Sequence, residues 1–181
     1  MAKRRRKRRR LTELEKQKGK DYRNLLELIY GGNYIYLFIL DTEQDQATEL
    51  TQEELDNKLL YIGSTGNLYS RFLHHRALDT DVSKTLKFLG VNYKIYYAEL
   101  DKNLNRDPDL YTIEYHLIHS LKPLYNLDYS RFTTLEEDAK TDIKLKKLLD
   151  IAEGLKAEDF KLFDFEKFKI EKQKASTYKH E

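Results

Sequence analysis

Apolar side chains in the first third of the chain change from a helical to a strand-like spacing. The run at residues 34–40 is β-branched and aromatic, which is typical of a central strand. Residues 41–58 are polar and acidic and predict a long loop, or a short helix around residues 52–55, before a second strand at residues 59–62. A helix closed by Gly31-Gly32 is predicted ahead of the first strand, from apolar residues at loosely helical intervals: Leu11, Leu14, Tyr22, Leu25, Leu26 and Ile29.

The middle of the chain continues with helices and one more strand. Residues 67–78 predict a helix, residues 86–89 a short helix ended by Gly90, and residues 93–98 a third strand. Pro108 suits the first turn of a further helix, and Pro123 ends it. This order, β-β-α-α-β-α, is not a series of parallel βαβ units, so we expect an α+β fold with a small, three-stranded, mostly antiparallel sheet flanked by helices. The apolar stripe of the last of these helices consists of Leu110, Ile113, Leu117, Ile118 and Leu121.

A second compositional zone, residues 134–175, is rich in Lys, Asp and Glu. Its scattered apolar residues predict one or two amphipathic helices that pack on the preceding domain. A DNA-recognition or dimerisation element is the alternative, although the phenylalanines lie at mixed spacing and no helix-turn-helix or finger signature is evident. The expected organisation is therefore a basic arm at 1–10, a helix at 11–32, a central domain at 33–130 and a helical extension at 131–181.

Charge is distributed unevenly along the chain. The formal net charge is +2, but eight of the 33 basic residues lie within the first ten positions, which leaves 25 basic against 31 acidic residues, or −6, in the remainder. Like charges at this density resist folding, so we expect a disordered arm that binds a polyanion. A nuclear localisation signal and a ribosome-binding arm are the alternatives. The predicted nucleic-acid contacts of the arm are Arg4, Arg5, Arg6, Lys7, Arg8, Arg9 and Arg10.

The absence of cysteine and the lack of long apolar runs restrict the kinds of site and the cellular environment that we expect for the protein. The chain contains no cysteine, which excludes disulfides, thiol nucleophiles and zinc sites that need thiolates. No apolar run approaches the roughly 20 residues that span a bilayer, and the basic N-terminus has no apolar segment behind it. We expect a protein without membrane contact that is intracellular, either cytoplasmic or associated with the nucleoid.

One strand-turn-helix unit combines three kinds of reactive side chain. Tyr61-Ile62-Gly63 ends the second predicted strand, and Arg71 and His75 follow in the next helix. A hairpin of the first two strands would bring Tyr36 close to Tyr61, and the i, i+4 spacing places Arg71 and His75 on one helix face. A phenol, a guanidinium and an imidazole together are suited to cleaving a phosphodiester.

The order of these residues resembles the GIY-YIG nuclease family, whose members include homing endonucleases, restriction enzymes and an excision-repair subunit. The resemblance covers residues 34–126. Tyr61-Ile62-Gly63 matches the second signature, and Tyr34-Ile35-Tyr36 stands where the first signature usually has Gly-Ile-Tyr, so the tyrosine is retained and the glycine is not. Glu114, and Asn126 after Lys122-Pro123-Leu124-Tyr125, are similar to the late glutamate and closing asparagine of the family.

The resemblance implies an endonuclease that hydrolyses DNA phosphodiesters with Mg²⁺ or Mn²⁺, with 33–130 as its nuclease domain. Glu114 would hold the metal, Arg71 would bind the scissile phosphate, and His75 would activate a tyrosine or water. A non-catalytic nucleic-acid-binding or structural protein with the same fold is the alternative, and RNA is a further possible target. On their own the same residues would be an exposed helix carboxylate, a solvated arginine and packing tyrosines. The implied catalytic residues are Tyr36, Tyr61, Arg71, His75, Glu114 and Asn126, and Lys84 supplements the cationic surface.

Overall fold

In the computed structural model, which describes residues 12–42, 48–126 and 142–177, helices flank one four-stranded antiparallel sheet. This is the α+β architecture that the sequence predicts. The strands are β1 (Gly31–Leu40), β2 (Leu59–Asn67), β3 (Tyr93–Leu100) and β4 (Lys161–Leu162). The helices are α1 (Glu13–Tyr30), α2 (Gln52–Lys58), α3 (Leu68–Arg76), α4 (Asp81–Phe88), α5 (Arg106–Leu121), α6 (Ile143–Gly154) and α7 (Phe165–Thr177), and a 3₁₀ turn spans Ala157–Asp159.

Strand β1 lies inside the sheet, where the strand order is β2-β1-β3-β4. Tyr36 stands opposite Gly63 on β2 and Tyr97 on β3. The residues of β1 from Asn33 to Ile39 are buried without interruption. Such a run fits a strand that is paired on both sides and covered on both faces, because neither face can then carry the polar half of an alternating pattern.

The alternating side chains of β1 divide the interior into two apolar clusters. Ile35, Leu37 and Ile39 belong to one cluster together with residues of α5 and α6. Tyr34, Tyr36 and Phe38 belong to the other, which also contains residues of α3, α4 and α7. Successive side chains of a strand point to opposite faces, so Tyr36 lies on the face covered by α3.

The prediction of a three-stranded sheet was wrong by one short strand. Tyr96 and Tyr97 of β3 pair with Leu162 and Lys161 of β4, and the amide N–H of Phe163 donates to the carbonyl oxygen of Ile95 over 2.7 Å. The open edge of β3 exposes backbone donors and acceptors that the C-terminal extension satisfies. A strand of only two residues has no alternation of polar and apolar side chains, so the sequence pattern could not reveal β4.

The C-terminal extension is part of the packed fold. Phe163 and Phe168 are buried in the same cluster as Tyr36, and Tyr30 of α1 accepts a hydrogen bond from Gln173 of α7 over 3.2 Å. The spacing of the phenylalanines is mixed because they follow a 3₁₀ turn, a short strand and a helix. Phe163, Phe165 and Phe168 contact the cluster that contains Tyr36, and Phe160 belongs to the other cluster. Among the described helices, none combines the length and the apolar character needed to cross a membrane.

Candidate active site

The hydroxyl of Tyr36 is the centre of a buried polar cluster. Its ring is 1% exposed, and its oxygen accepts a hydrogen bond from Nε of Arg71 over 2.8 Å. Nε2 of His75 lies 3.1 Å from the same oxygen. Arg71 and His75 are one turn apart on α3, which begins after Asn67, whose side chain accepts from the amide of Ser70 over 3.0 Å. The cap fixes the start of the helix, so both side chains reach Tyr36 from the same face.

Gly63 allows the Tyr36 ring to lie against β2. The two residues are direct partners in the sheet. A Cβ atom at position 63 would overlap Cζ and the hydroxyl oxygen of Tyr36. A residue with any side chain would therefore displace the hydroxyl from Arg71 and His75. The glycine in Tyr61-Ile62-Gly63 has a steric role.

Tyr61 extends the cluster towards solvent. Its ring centroid lies 6.1 Å from that of Tyr36, and its hydroxyl is hydrogen-bonded to Arg71. Tyr61 and Arg71 line a cleft of about 500 Å³ together with Thr80 and Tyr125. The phenol and the guanidinium are thus accessible to a ligand in this cleft, whereas Tyr36 and His75 lie behind them.

Glu114 of α5 contacts β2 at Ser64, the residue after Gly63. Its Oε2 accepts from the amide N–H of Ser64 over 2.9 Å and from the Ser64 hydroxyl over 2.5 Å. Burial raises the pKa of Glu114, while these two hydrogen bonds and the nearby charge of Arg71 work in the opposite direction. The carboxylate is half-buried and held in a fixed orientation, with Oε2 saturated by Ser64.

The side chain of Asn126 binds both backbone polar groups of one β2 residue, Ile62. Its Oδ1 accepts from the amide of Ile62 over 2.8 Å, and its Nδ2 donates to the carbonyl of Ile62 over 2.7 Å. The amide of Tyr125 donates to Leu60 over 2.8 Å. These contacts place Asn126 at the backbone of β2, one residue from Gly63, where it fixes the strand that carries Tyr61 and Gly63.

Burial determines the protonation states of the cluster. Burial, followed by the charges of Arg71 and His74, lowers the pKa of His75 to about 3. Burial also raises the pKa of Tyr36 well above its ordinary value, against the opposing effect of Arg71. At neutral pH the cluster therefore consists of a neutral imidazole, a neutral phenol and a guanidinium cation.

Two further basic side chains, His116 and Lys84, pair with acidic residues and not with Tyr36. His116 is directed to Glu153 of α6, with Nε2 3.5 Å from its carboxylate. Lys84 is exposed on α4, where its Nζ lies 3.2 Å from Asp81. The basic arm, and with it the residues from Arg4 to Arg10, lies outside the described residues.

Three residues in the site were not anticipated from the sequence. Ser64 orients Glu114, and Thr80 and Ser83 form a hydrogen-bonded group behind His75, with Nδ1 of His75 2.8 Å from the Thr80 hydroxyl. Thr80 and Ser83 do carry a local signal, since a threonine before an Asp at a helix start is a typical N-cap. That signal predicts the cap and does not predict the contact with His75.

Comparison of this chain with known proteins gives no matching family model, no matching curated protein and no matching solved structure.

Proposed function

We propose that this protein is a metal-dependent nuclease of the GIY-YIG type that hydrolyses DNA phosphodiester bonds. The observation that carries the proposal is the convergence on one phenol of Arg71 and His75, with Nε 2.8 Å and Nε2 3.1 Å from the Tyr36 oxygen. Beside it, Glu114 is fixed to the strand that carries Gly63. Burying a phenol, an arginine and a histidine together has a desolvation cost, so their assembly favours chemistry over packing.

Arg71 is suited to bind the phosphate that is cleaved. A guanidinium has five N–H donors, and hydrogen bonds to Tyr36 and Tyr61 leave others for phosphate oxygens. Its position in the cleft places this charge where a phosphodiester can enter. The planar array of donors matches the oxygens of a phosphate, and its charge stabilises the charge that develops during attack.

A free tyrosinate is not the base in this proposal. Burial raises the pKa of Tyr36 and lowers the pKa of His75, so full proton transfer from the phenol to the imidazole is unfavourable in the free protein. For hydrolysis the attacking water has to pass Tyr61 and Arg71 to reach the buried oxygen of Tyr36. That oxygen then accepts a proton from the water while the phenolic proton of Tyr36 passes to His75. A bound phosphate would offset the charge of Arg71, which is one of the causes that lower the pKa of His75.

Glu114 is the residue that would hold the metal ion. The described residues contain no group of three or more His, Cys, Asp and Glu side chains that could hold an ion. A single oriented carboxylate nevertheless fits Mg²⁺ or Mn²⁺, since hard cations accept one protein oxygen with waters and phosphate oxygens as further ligands. A divalent ion bound here would polarise the phosphate and stabilise the leaving oxygen. Ser64 contributes by fixing Oε2, so Oε1 is the oxygen that would hold the ion.

A plasmid-cleavage assay tests the proposal. Supercoiled plasmid is incubated with the full chain in Mg²⁺ or Mn²⁺, with EDTA as the metal-free control and a structured RNA of similar length as the alternative substrate. The proposal predicts nicked or linear DNA that depends on the divalent ion. The variant Tyr36→Phe should be inactive, whereas Tyr111→Phe, at a half-exposed phenol of α5, should cleave at the parent rate.

Three results would contradict the proposal. DNA binding without cleavage in either ion would support the non-catalytic alternative. Cleavage of RNA with DNA left intact would change the substrate. Equal activity of Tyr36→Phe and the parent protein would show that the nuclease activity arises elsewhere.

A further inference from the structure

Two hydroxyl groups, of Thr80 and Ser83, continue the hydrogen-bonded chain from His75 away from Tyr36. Nδ1 of His75 lies 2.8 Å from the Thr80 hydroxyl, and that hydroxyl lies 2.5 Å from the hydroxyl of Ser83. The Ser83 hydroxyl donates to the carbonyl oxygen of Thr80 over 3.0 Å, and the amide of Ser83 donates to the Thr80 hydroxyl over 3.4 Å. His75 is 2% exposed and Ser83 is 1% exposed, so solvent has little access to the two ends of this group, whereas Thr80 between them is half-buried at the wall of the cleft.

The hydrogen atoms in this group determine the tautomer of His75. Four contacts join Nδ1, the two hydroxyl groups, the Thr80 carbonyl and the Ser83 amide. When Nδ1 is protonated, it donates to Thr80, Thr80 donates to Ser83, Ser83 donates to the carbonyl, and the amide supplies the fourth hydrogen atom. When Nε2 is protonated instead, only three hydrogen atoms remain for the four contacts.

Matching donors with acceptors on the Tyr36 side of the imidazole gives the same result. With Nδ1 protonated, Nε2 is an acceptor and takes the phenolic proton of Tyr36, while the Tyr36 oxygen accepts from Arg71. With Nε2 protonated, the Tyr36 oxygen receives two donors and its own proton loses the imidazole as acceptor. Buried donors without an acceptor are costly, so the hydrogen bonds of the whole group favour protonation at Nδ1.

We infer that Thr80 and Ser83 are positioning residues that hold His75 in the tautomer protonated at Nδ1, with Nε2 free to accept the proton of Tyr36. The inferred tautomer is a property of the folded protein by itself, and its use in catalysis rests on the proposed nuclease function. A hydroxyl orients the imidazole without adding a negative charge beside it. The pair thus fixes the direction of proton transfer and leaves the imidazole neutral in the resting protein.

Long-range ¹H–¹⁵N NMR of the imidazole in the full chain tests the inference, with His75→Gln used to assign the signal. We expect the pattern of a neutral ring protonated at Nδ1 in the parent protein and in Thr80→Ser, which keeps the hydroxyl. In Ser83→Ala the Thr80 hydroxyl loses its acceptor and can donate to Nδ1, so the population protonated at Nε2 should rise. Ser83→Ala keeps the hydrogen bond that the Ser83 amide donates to the Thr80 hydroxyl, so the cap of helix α4 is kept.

The cleavage rate of the same variants gives a second test. Single-turnover cleavage should fall about 10-fold in Ser83→Ala and in Thr80→Val, as removal of an outer hydrogen-bond partner typically does for a functional histidine, and should be kept in Thr80→Ser. A parent imidazole protonated at Nε2, or a tautomer unchanged in both Ser83→Ala and Thr80→Val, would overturn the inference. The expected spectra in a protein that cleaves nothing would leave the tautomer assignment standing and remove the nuclease proposal.

Discussion

The ring of Tyr36 lies over the backbone of Gly63 on the neighbouring strand, in space that a Cβ atom at position 63 would occupy. The contact is between a rigid aromatic ring and the centre of a paired strand, and neither can move away easily. The position of the hydroxyl between Arg71 and His75 therefore depends on a residue that contributes no functional group.

Gly63→Ala should consequently abolish most activity while the protein still folds. Moving a reacting group by about 1 Å costs on the order of 100-fold in rate, and the inserted methyl group should cost about 1–3 kcal/mol of stability. Single-turnover cleavage and urea unfolding measure the two effects. The matched control is Gly19→Ala, where a Cβ atom meets nothing within 4 Å and alanine should stabilise α1 by up to about 1 kcal/mol. Full activity of Gly63→Ala would show that the position of the Tyr36 hydroxyl is unimportant.

Arg71→Lys should lower cleavage by about 100-fold, the effect of removing one preorganised donor. Lysine keeps the positive charge but has no Nε–H to donate to Tyr36 and no planar array for a phosphate. The measurement is single-turnover cleavage at saturating protein, so that weaker binding does not contribute. Arg76→Lys, five residues further along and exposed, provides the control and should retain the parent rate. A parent rate in Arg71→Lys would leave general charge as the only role of this residue.

The Asp109–Lys144 ion pair predicts how stability depends on pH. Asp109 of α5 is 3% exposed, and Nζ of Lys144 lies 2.7 Å from its Oδ1. Burial works to raise the pKa of Asp109, but the hydrogen bonds from Lys144 and from the Asn105 amide outweigh it and lower the pKa below 3.8. A carboxyl with a lowered pKa in the folded state stabilises the protein above the unfolded value, and this contribution is lost as the pH falls through the folded value.

Asp109→Asn should therefore be less stable than the parent protein near pH 7, by about 1–3 kcal/mol, because the neutral amide loses the charge-assisted hydrogen bonds that the buried carboxylate accepts from Lys144 and Asn105. The difference should shrink as the pH falls below about 4. Urea unfolding at several pH values measures it. The control is Asp159→Asn, where an exposed carboxylate accepts from the Lys156 amide. A difference between Asp109→Asn and the parent that is independent of pH would exclude the ion pair as its source.

The basic arm gives a prediction that does not depend on the active site. Deletion of residues 2–10 removes eight cationic side chains, so affinity for duplex DNA should fall. The slope of log K against log salt should become shallower, by about 0.9 for each phosphate that the shortened chain no longer neutralises. Fluorescence anisotropy at several salt concentrations measures the slope. Cleavage at saturating protein should survive the deletion. An unchanged slope would favour a targeting signal or a protein-binding role for the arm.

The sequence was sufficient to predict the antiparallel hairpin and the helix that carries Arg71 and His75, because both have local periodicity. It was not sufficient for β4, whose two residues pair only because the edge of β3 is available. The contact between His75 and Thr80 depends on the turn between α3 and α4, and a hydrogen bond across a turn leaves no periodic signal. The order of residues indicated which side chains matter, and only the packing showed that Gly63 makes room for Tyr36.

The most direct test of the nuclease proposal is single-turnover cleavage of a plasmid by Glu114→Gln across a titration of Mg²⁺. Glutamine keeps the shape of the side chain and can accept from Ser64, but it lacks the charge that would hold the ion. Glu153→Gln, an exposed carboxylate on α6, is the matched control. We predict that Glu114→Gln folds and binds DNA like the parent protein and shows no cleavage at any Mg²⁺ concentration, while Glu153→Gln follows the parent curve. Cleavage by Glu114→Gln with the parent dependence on Mg²⁺ would contradict the assignment of Glu114 as the metal ligand and, with it, the proposed mechanism.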